Sequence, residues 1–133
     1  MCGIAGWLGG SPSANDEAVL DEMLRQIQHR GPDGDGRFHA ATSSGDSVAL
    51  GHRRLAIIDL GGGAQPMATA QRTHVISYNG EVYNYKDLRK ELIQRGQVFT
   101  TESDTEVVLH AFAHWGDSCF TKLNYYPTTI NYL

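Results

Sequence analysis

Strand-like apolar runs and helix-like segments alternate along this chain, and this mixture constrains its fold more than any other feature. Residues 2–8 (CGIAGWL) predict a buried strand, and residues 48–60 (VALGHRRLAIIDL) predict one or two more. Shorter strands are predicted at residues 74–78 and 98–100. Together with the helices described next, the pattern favours an α+β fold with layered sheets.

Three segments have the marks of helices. Residues 16–28 have apolar side chains at helical spacing, namely Leu20, Met23, Leu24 and Ile27. A second helix is predicted from a cap at Asn84 through Arg95, with Leu88, Leu92 and Ile93 facing inward. The residues SDTE at 103–106 form a capping box, which predicts a third helix closing near Gly116.

Composition excludes several classes of protein. The 133 residues suit one domain, with 41% hydrophobic and 20% charged residues and a formal net charge of -4. The absence of a long basic run argues against a nucleic-acid partner, and the short apolar runs argue against a membrane span. The two cysteines, Cys2 and Cys119, form no CxxC motif, and no secretory signal is evident. A reducing, cytoplasmic location is expected.

Cys2 is a candidate nucleophile because of its position. Removal of Met1 would leave a thiol and a free α-amine on one residue. An α-amine has a reference pKa of about 8, so it can take the proton of the thiol and generate the reactive thiolate. The alternative is that Cys2 is a small buried side chain at the start of a strand.

Asn79 and Gly80 are candidate donors to an oxyanion. The Asn side-chain N–H and the Gly main-chain N–H can converge on one oxygen atom, as an oxyanion hole requires. Taken alone, however, an Asn-Gly pair between two apolar stretches favours a hairpin turn.

Arg54 and Asp104 are candidate ligands of an amino acid. An arginine next to the small Ala56 could bind a carboxylate with two parallel hydrogen bonds, while a carboxylate could bind an ammonium group. Each residue has a simpler explanation: Arg54 as a solvated strand residue, and Asp104 as an acid favoured by the dipole of its helix.

Several motifs together resemble one family. They are MCGIAGW at the start, HRGPDGDG at residues 29–36, GHRRLAIIDL at 51–60, GAQPM at 63–67, YNGEVYN at 78–84 and SDTEVVLHAFAHWG at 103–116. In this order they resemble the class II glutamine amidotransferase domain that begins glutamine-hydrolysing asparagine synthetases. The resemblance runs from residue 2 to about residue 124.

The resemblance implies an N-terminal nucleophile hydrolase fold, in which two antiparallel sheets are layered with helices in the order αββα. It implies that glutamine is the substrate, that Cys2 attacks its side-chain amide, and that Asn79 and Gly80 form the oxyanion hole. It further implies a glutamine site lined by Arg54, Leu55, Ala56, Ile57, Ile58, Asn79, Gly80, Glu81 and Asp104. The motif HRGPDGDG is expected near this site, without individual roles.

The chain departs from the family pattern in two respects. After residue 124 the family continues with further strands, whereas residues 125–133 diverge and contain Pro127, which is expected to interrupt sheet pairing. We therefore expect a partial amidotransferase domain at residues 2–124 with a divergent tail. The chain also has no SGGxDS-type nucleotide loop. No cofactor or metal is therefore expected here, since ATP and Mg²⁺ would belong to a synthetase domain or chain that receives the ammonia.

Two other functions stay open at this stage. The chain could be an inactive truncated remnant of such a domain, which the shape of its unfolding transition would test. It could also be an N-terminal thiol hydrolase that acts on a different amide, although Arg54 with Asp104 favours a free amino acid.

Overall fold

A computed structural model of the chain describes residues 1–55 and 62–132. These residues form two compact units, one of residues 1–55 and 64–66 and the other of residues 62–63 and 67–132. In the described part of the chain, each unit combines a small antiparallel sheet with helices. This confirms the α+β class, while the layered arrangement of an N-terminal nucleophile hydrolase stays a prediction.

The first unit is a sheet with one long helix packed on it. Its elements are strand β1 (Gly3–Leu8), helix α1 (Asp16–Gln26), strand β2 (Gly34–Ala41) and strand β3 (Ser47–Arg54). The strand order is β1-β3-β2, and β3 pairs antiparallel with both neighbours. At the end of β3, Arg53 is therefore paired with both neighbouring strands, and the candidate Arg54 is paired with Gly34 of β2.

Helix α1 packs directly on β3. Leu20 and Leu24 are fully buried together with Ala49. A β-carbon on Gly51 would lie 2.9–3.0 Å from side-chain atoms of Leu24 and Leu20, so the helix rests on this glycine. The predicted helix is confirmed but ends two residues early, at Gln26, and a 3-10 turn at Gln28–Arg30 follows it.

Two strand predictions in this unit need correction. Strand β1 is an edge strand rather than a buried one, and Leu8 at its end is 61% exposed. Strand β2 was not predicted, because the run GDGRFHAA is rich in glycine and polar residues. It forms because all eight of its residues pair with β3.

The second unit contains the remaining strands and two helices. Its elements are strand β4 (Met67–Ala68), strand β5 (Val75–Val82), helix α2 (Tyr85–Gln94), helix α3 (Asp104–Trp115), a 3-10 helix (Gly116–Thr121) and strand β6 (Tyr125–Tyr132). The sheet order is β4-β5-β6, all antiparallel. Its core includes Ile76, Tyr78, Val82, Leu92, Val107 and Val108.

Both predicted helices of this unit are confirmed. Helix α2 follows Asn84, and Leu88 and Leu92 are buried as predicted, but Ile93 is 51% exposed and so does not face inward. Helix α3 begins after Ser103, whose hydroxyl accepts a hydrogen bond from the Thr105 N–H at 3.2 Å.

Two other predictions for this unit are wrong. Residues 98–100 are not a strand, and Val98 is 78% exposed. Pro127 does not interrupt pairing, since β6 pairs with β5 along its length and Pro127 lies opposite Gly80 at a β-bulge. A proline is compatible with an edge strand at a bulge, where the ladder needs no N–H.

Candidate active site

The sulfur of Cys2 lies against the main chain just beyond strand β3. The Leu55 N–H donates to the Cys2 Sγ at 3.3 Å, and the Sγ lies 3.7 Å from the Leu55 carbonyl oxygen. This follows from the pairing of β1 with β3, in which Gly3 is opposite Arg53. Cys2 is partly exposed, whereas the other thiol, Cys119, is fully buried. The structure thus places the candidate nucleophile next to the Arg54–Leu55 peptide.

Arg30 also contacts the candidate nucleophile. Its Nε donates to the main-chain carbonyl of Cys2 at 3.1 Å. The motif HRGPDGDG was expected near the site, but nothing within the motif singled out Arg30. The contact arises because the 3-10 turn after α1 brings residue 30 beside the start of β1.

Arg54 is the last residue of β3 and is partly buried. Its charge acts on His52, two residues earlier on the strand and therefore on the same face. Burial, together with the positive charge of Arg54, lowers the pKa of His52 to about 4. His52 is therefore neutral at pH 7.

In the second unit, Asn79 and Gly80 lie within strand β5. The predicted hairpin turn is wrong, because this pair is inside the strand and opposes residues 127 and 129 of β6. A register shift between Asn79 and Gly80 marks a β-bulge. The register skips Thr128 of β6, while Asn79 stays opposite Thr129 and Gly80 opposite Pro127. Both residues are partly exposed.

Gly80 makes a close contact with Tyr78 on the same strand. A β-carbon added to Gly80 would lie 2.5 Å from the Tyr78 hydroxyl oxygen. Tyr78 is 1% exposed, and burial raises the pKa of its hydroxyl, as do the nearby carboxylates of Asp104 and Glu81. Only a glycine fits beside this tyrosine in this arrangement.

Asp104 is tied to the end of the same strand. It is the first residue of α3, it is 6% exposed, and its carboxylate accepts a hydrogen bond from the Val82 N–H at 3.1 Å. Burial raises the pKa of Asp104, and the negative charge of Glu81 acts in the same direction, while main-chain hydrogen bonds oppose both. The second unit therefore brings Asp104 close to the segment that carries Asn79, Gly80 and the exposed Glu81.

The predicted site residues thus form two groups, one in each unit. Cys2, Arg54 and Leu55 belong to the first, and Asn79, Gly80, Glu81 and Asp104 to the second. The remaining predicted residues lie outside the described part of the chain; they are Ala56, Ile57 and Ile58.

Across residues 1–55 and 62–132, no group of three or more His, Cys, Asp or Glu side chains is arranged to hold a metal ion. None of the helices described there has the length and apolar character that a bilayer crossing requires.

The sequence is similar to proteins of known family. Residues 1–126 match the sequence profile of the glutamine amidotransferase domain. Asparagine synthetase [glutamine-hydrolyzing] 1 of Bacillus subtilis (strain 168) is 42% identical over 92% of this chain and 19% of its own length. Asparagine synthetase [glutamine-hydrolyzing] 3 of the same strain is 42% identical over 93% and 20%.

A third relative is asparagine synthetase B [glutamine-hydrolyzing] of Escherichia coli (strain K12). It is 43% identical over 71% of this chain and 16% of its own length. The chain therefore spans about a fifth of the length of the curated relatives it matches.

Proposed function

The chain belongs to the glutamine amidotransferase domain family, and on that premise we propose that it hydrolyses the side-chain amide of glutamine through the thiol of Cys2. The observation that carries this proposal is the hydrogen bond from the Leu55 N–H to the Cys2 Sγ at 3.3 Å. Leu55 directly follows Arg54, the proposed ligand of the glutamine carboxylate. A nucleophile and a carboxylate ligand at neighbouring positions suit a short amino acid substrate.

The reaction begins with the mature N-terminus. Met1 is 65% exposed, which is compatible with its removal by an aminopeptidase. The α-amine of Cys2 then takes the proton of the thiol, and the thiolate attacks the side-chain amide carbon of glutamine. The protonated α-amine gives its proton to the amide nitrogen as the tetrahedral intermediate collapses, so that the C–N bond breaks, ammonia leaves and a glutamyl thioester remains on Cys2. Water attacks the thioester, which releases glutamate and restores the thiol.

Asn79 and Gly80 supply the oxyanion hole in this proposal. The Asn79 side-chain N–H and the Gly80 main-chain N–H would donate to the oxygen that gains negative charge in both steps. Their partial exposure at the register shift between β5 and β6 supports the assignment, since a substrate can reach them there.

The two charged ends of glutamine require ligands of opposite sign. Arg54 would bind the α-carboxylate with its planar guanidinium, and Asp104 would bind the α-ammonium, with Glu81 as a second acidic residue nearby. The Val82 N–H holds the Asp104 carboxylate in a fixed orientation, which limits the entropy lost on binding.

The ammonia would serve a second reaction. The relatives are named as glutamine-hydrolysing asparagine synthetases, so we propose that this domain is the glutaminase part of a similar amidotransferase. A synthetase domain or chain would receive the ammonia, and the sites for ATP and Mg²⁺ would lie there.

A glutaminase assay with two cysteine variants tests the proposal. Glutamate release from glutamine is measured for the purified chain, after mass spectrometry has shown that Cys2 is its first residue. Cys2→Ala is expected to abolish release. Cys119→Ala is the matched control, because burial raises the pKa of the Cys119 thiol to about 11 and keeps it unreactive. If the unaltered chain releases glutamate no faster than Cys2→Ala, the proposed activity is rejected and the inactive-remnant alternative is favoured.

A further inference from the structure

The segment of residues 30–33, in the motif HRGPDGDG, has no role in the proposed reaction, yet it contacts two residues that do. The Arg30 Nε donates to the Cys2 carbonyl at 3.1 Å, and the Asp33 N–H donates to the Arg54 carbonyl at 3.0 Å. One short segment is therefore hydrogen-bonded to the main chain of the nucleophile and to the main chain of the carboxylate ligand.

Gly31, between these two contacts, lies directly on strand β3. A β-carbon at this position would be 2.4 Å from the carbonyl carbon and oxygen of Arg53 and 2.6 Å from the carbonyl carbon of Arg54. These are main-chain atoms, so they cannot rotate away as a side chain would. The Gly31 dihedrals, φ -150° and ψ 90°, are extended and open to any residue. The glycine is therefore required by the close approach and not by its backbone conformation.

The main chain at Arg54 is linked to the Cys2 sulfur through the next peptide group. The Leu55 N–H belongs to the Arg54–Leu55 peptide and donates to the Cys2 Sγ at 3.3 Å. A shift of the main chain at Arg53 and Arg54 would consequently move both the guanidinium and the donor that faces the thiol.

We propose that Gly31 is a positioning residue of the glutamine site. Its missing side chain lets residues 30–33 lie on the end of β3, and this fixes the distance between the Cys2 thiol and the Arg54 guanidinium. That distance selects substrates in which an α-carboxylate and a side-chain amide are separated as they are in glutamine. The inference rests on the proposed function and deepens it.

The experiment compares two alanine substitutions in the same motif. Gly31→Ala introduces the collision with β3, whereas Gly34→Ala is a matched control, since its β-carbon would approach only the Arg54 Cβ, at 4.0 Å. We expect Gly31→Ala to lower kcat/KM for glutamine by about 10²-fold, the effect of a displacement of roughly 1 Å in a site. Gly34→Ala is expected to stay within about twofold of the unaltered chain, as for substitutions away from tight contacts.

A second readout separates positioning from general damage. Alkylation of Cys2 by iodoacetamide requires no carboxylate ligand, so Cys2 should react in both variants, and the rate of each variant without glutamine is the reference for its protection. Protection of Cys2 from alkylation by added glutamine should be present in Gly34→Ala and lost in Gly31→Ala. Equal protection and equal kcat/KM in the two variants would overturn the inference. If the unaltered chain hydrolyses no glutamine, the proposed function fails and this inference fails with it.

A measurement on the unaltered chain covers the case in which Gly31→Ala does not fold. The amide protons of Asp33 and Leu55 should exchange with solvent through one shared opening of segment 30–33 from β3, and glutamine should slow both equally. Hydrogen exchange followed by NMR measures this directly. Exchange of the Leu55 amide that is independent of the Asp33 amide, or insensitive to glutamine, would contradict the role of Gly31.

Discussion

At the scale of residues, the surroundings of each candidate group limit its chemistry. The two thiols illustrate this: Cys2 is partly exposed and faces the Leu55 main chain, whereas Cys119 is fully buried and the pKa of its thiol is raised to about 11. Asn79 and Gly80 are partly exposed at an irregular point of a strand. The candidate groups thus lie at partly exposed positions, one before β1 and two at a register shift of β5.

The oxyanion role proposed for Asn79 leads to a quantitative prediction. Asn79→Ala removes one donor to the oxyanion and should lower kcat for glutamine hydrolysis by about 10²–10³-fold, with a much smaller change in KM. Steady-state glutamate release measures both constants. Asn15→Ala is a suitable control, because Asn15 is exposed and its side chain makes no capping hydrogen bond. An unchanged kcat in Asn79→Ala would remove this residue from the oxyanion hole.

The motifs allowed the candidate site residues to be named from the sequence, but not the contacts that hold them. Cys2, Arg54, Asn79 and Asp104 stood out by position and residue type. The contacts of Arg30 and Gly31 could not be predicted, because they form between segments more than twenty residues apart in the sequence. A glycine in an extended conformation has no local signature of such a contact.

At the scale of elements, a buried carboxylate organises the start of helix α3. Glu106 accepts four hydrogen bonds, from the N–H and hydroxyl groups of Thr100 and Thr101, at 2.7–2.9 Å. Burial alone would raise the pKa of Glu106, but these hydrogen bonds outweigh it and lower the pKa. The capping box predicted from SDTE therefore works differently from expectation: Ser103 caps the helix, while Glu106 binds the segment before it.

Replacing this carboxylate should destabilise the fold. Glu106→Gln keeps the size of the side chain but replaces one acceptor oxygen with an NH₂ donor facing other donors. We expect a loss of about 1–3 kcal/mol in the free energy of unfolding, measured with urea at pH 7. Glu102→Gln serves as the control, because its side chain is 82% exposed and its ion pair with Arg89 should contribute under about 1 kcal/mol. Equal stabilities of the two variants would contradict the role of Glu106.

Most elements followed from sequence patterns, and two of the missed strands have a common cause. Helices were predictable because their caps and apolar spacing are local signals, as in α2 and α3. Strand β2 and strand β6 were missed because their stability comes from pairing with β3 and β5, which a local pattern does not contain. The same long-range pairing places Asn79 and Gly80 inside a strand in spite of their preference for turns.

At the scale of the whole molecule, stability should depend on the protonation of His52. Its pKa is lowered to about 4 by burial and by the charge of Arg54, compared with about 6.5 in an unfolded chain. A lowered folded pKa means that the unfolded state binds more protons between these values. Folding stability should therefore fall as the pH drops from about 6.5 to about 4, by roughly 3 kcal/mol at most.

Urea unfolding at pH 7 and pH 4.5 measures this contribution. His52→Gln cannot be protonated, so the stability of this variant should fall less between the two pH values than that of the unaltered chain. His39→Gln, at an exposed position of β2, should keep the full decrease. If the decrease is the same in all three proteins, His52 does not contribute to the pH dependence of stability.

The account depends most on a covalent bond between the Cys2 sulfur and the glutamyl group of the substrate. The most direct measurement is mass spectrometry of peptides from a reaction with glutamine that is quenched in acid during turnover. We predict that the peptide beginning with Cys2 gains the mass of one glutamyl group, and that the peptide containing Cys119 does not. Glutamate production without any adduct on Cys2, or with an adduct elsewhere, would contradict the account.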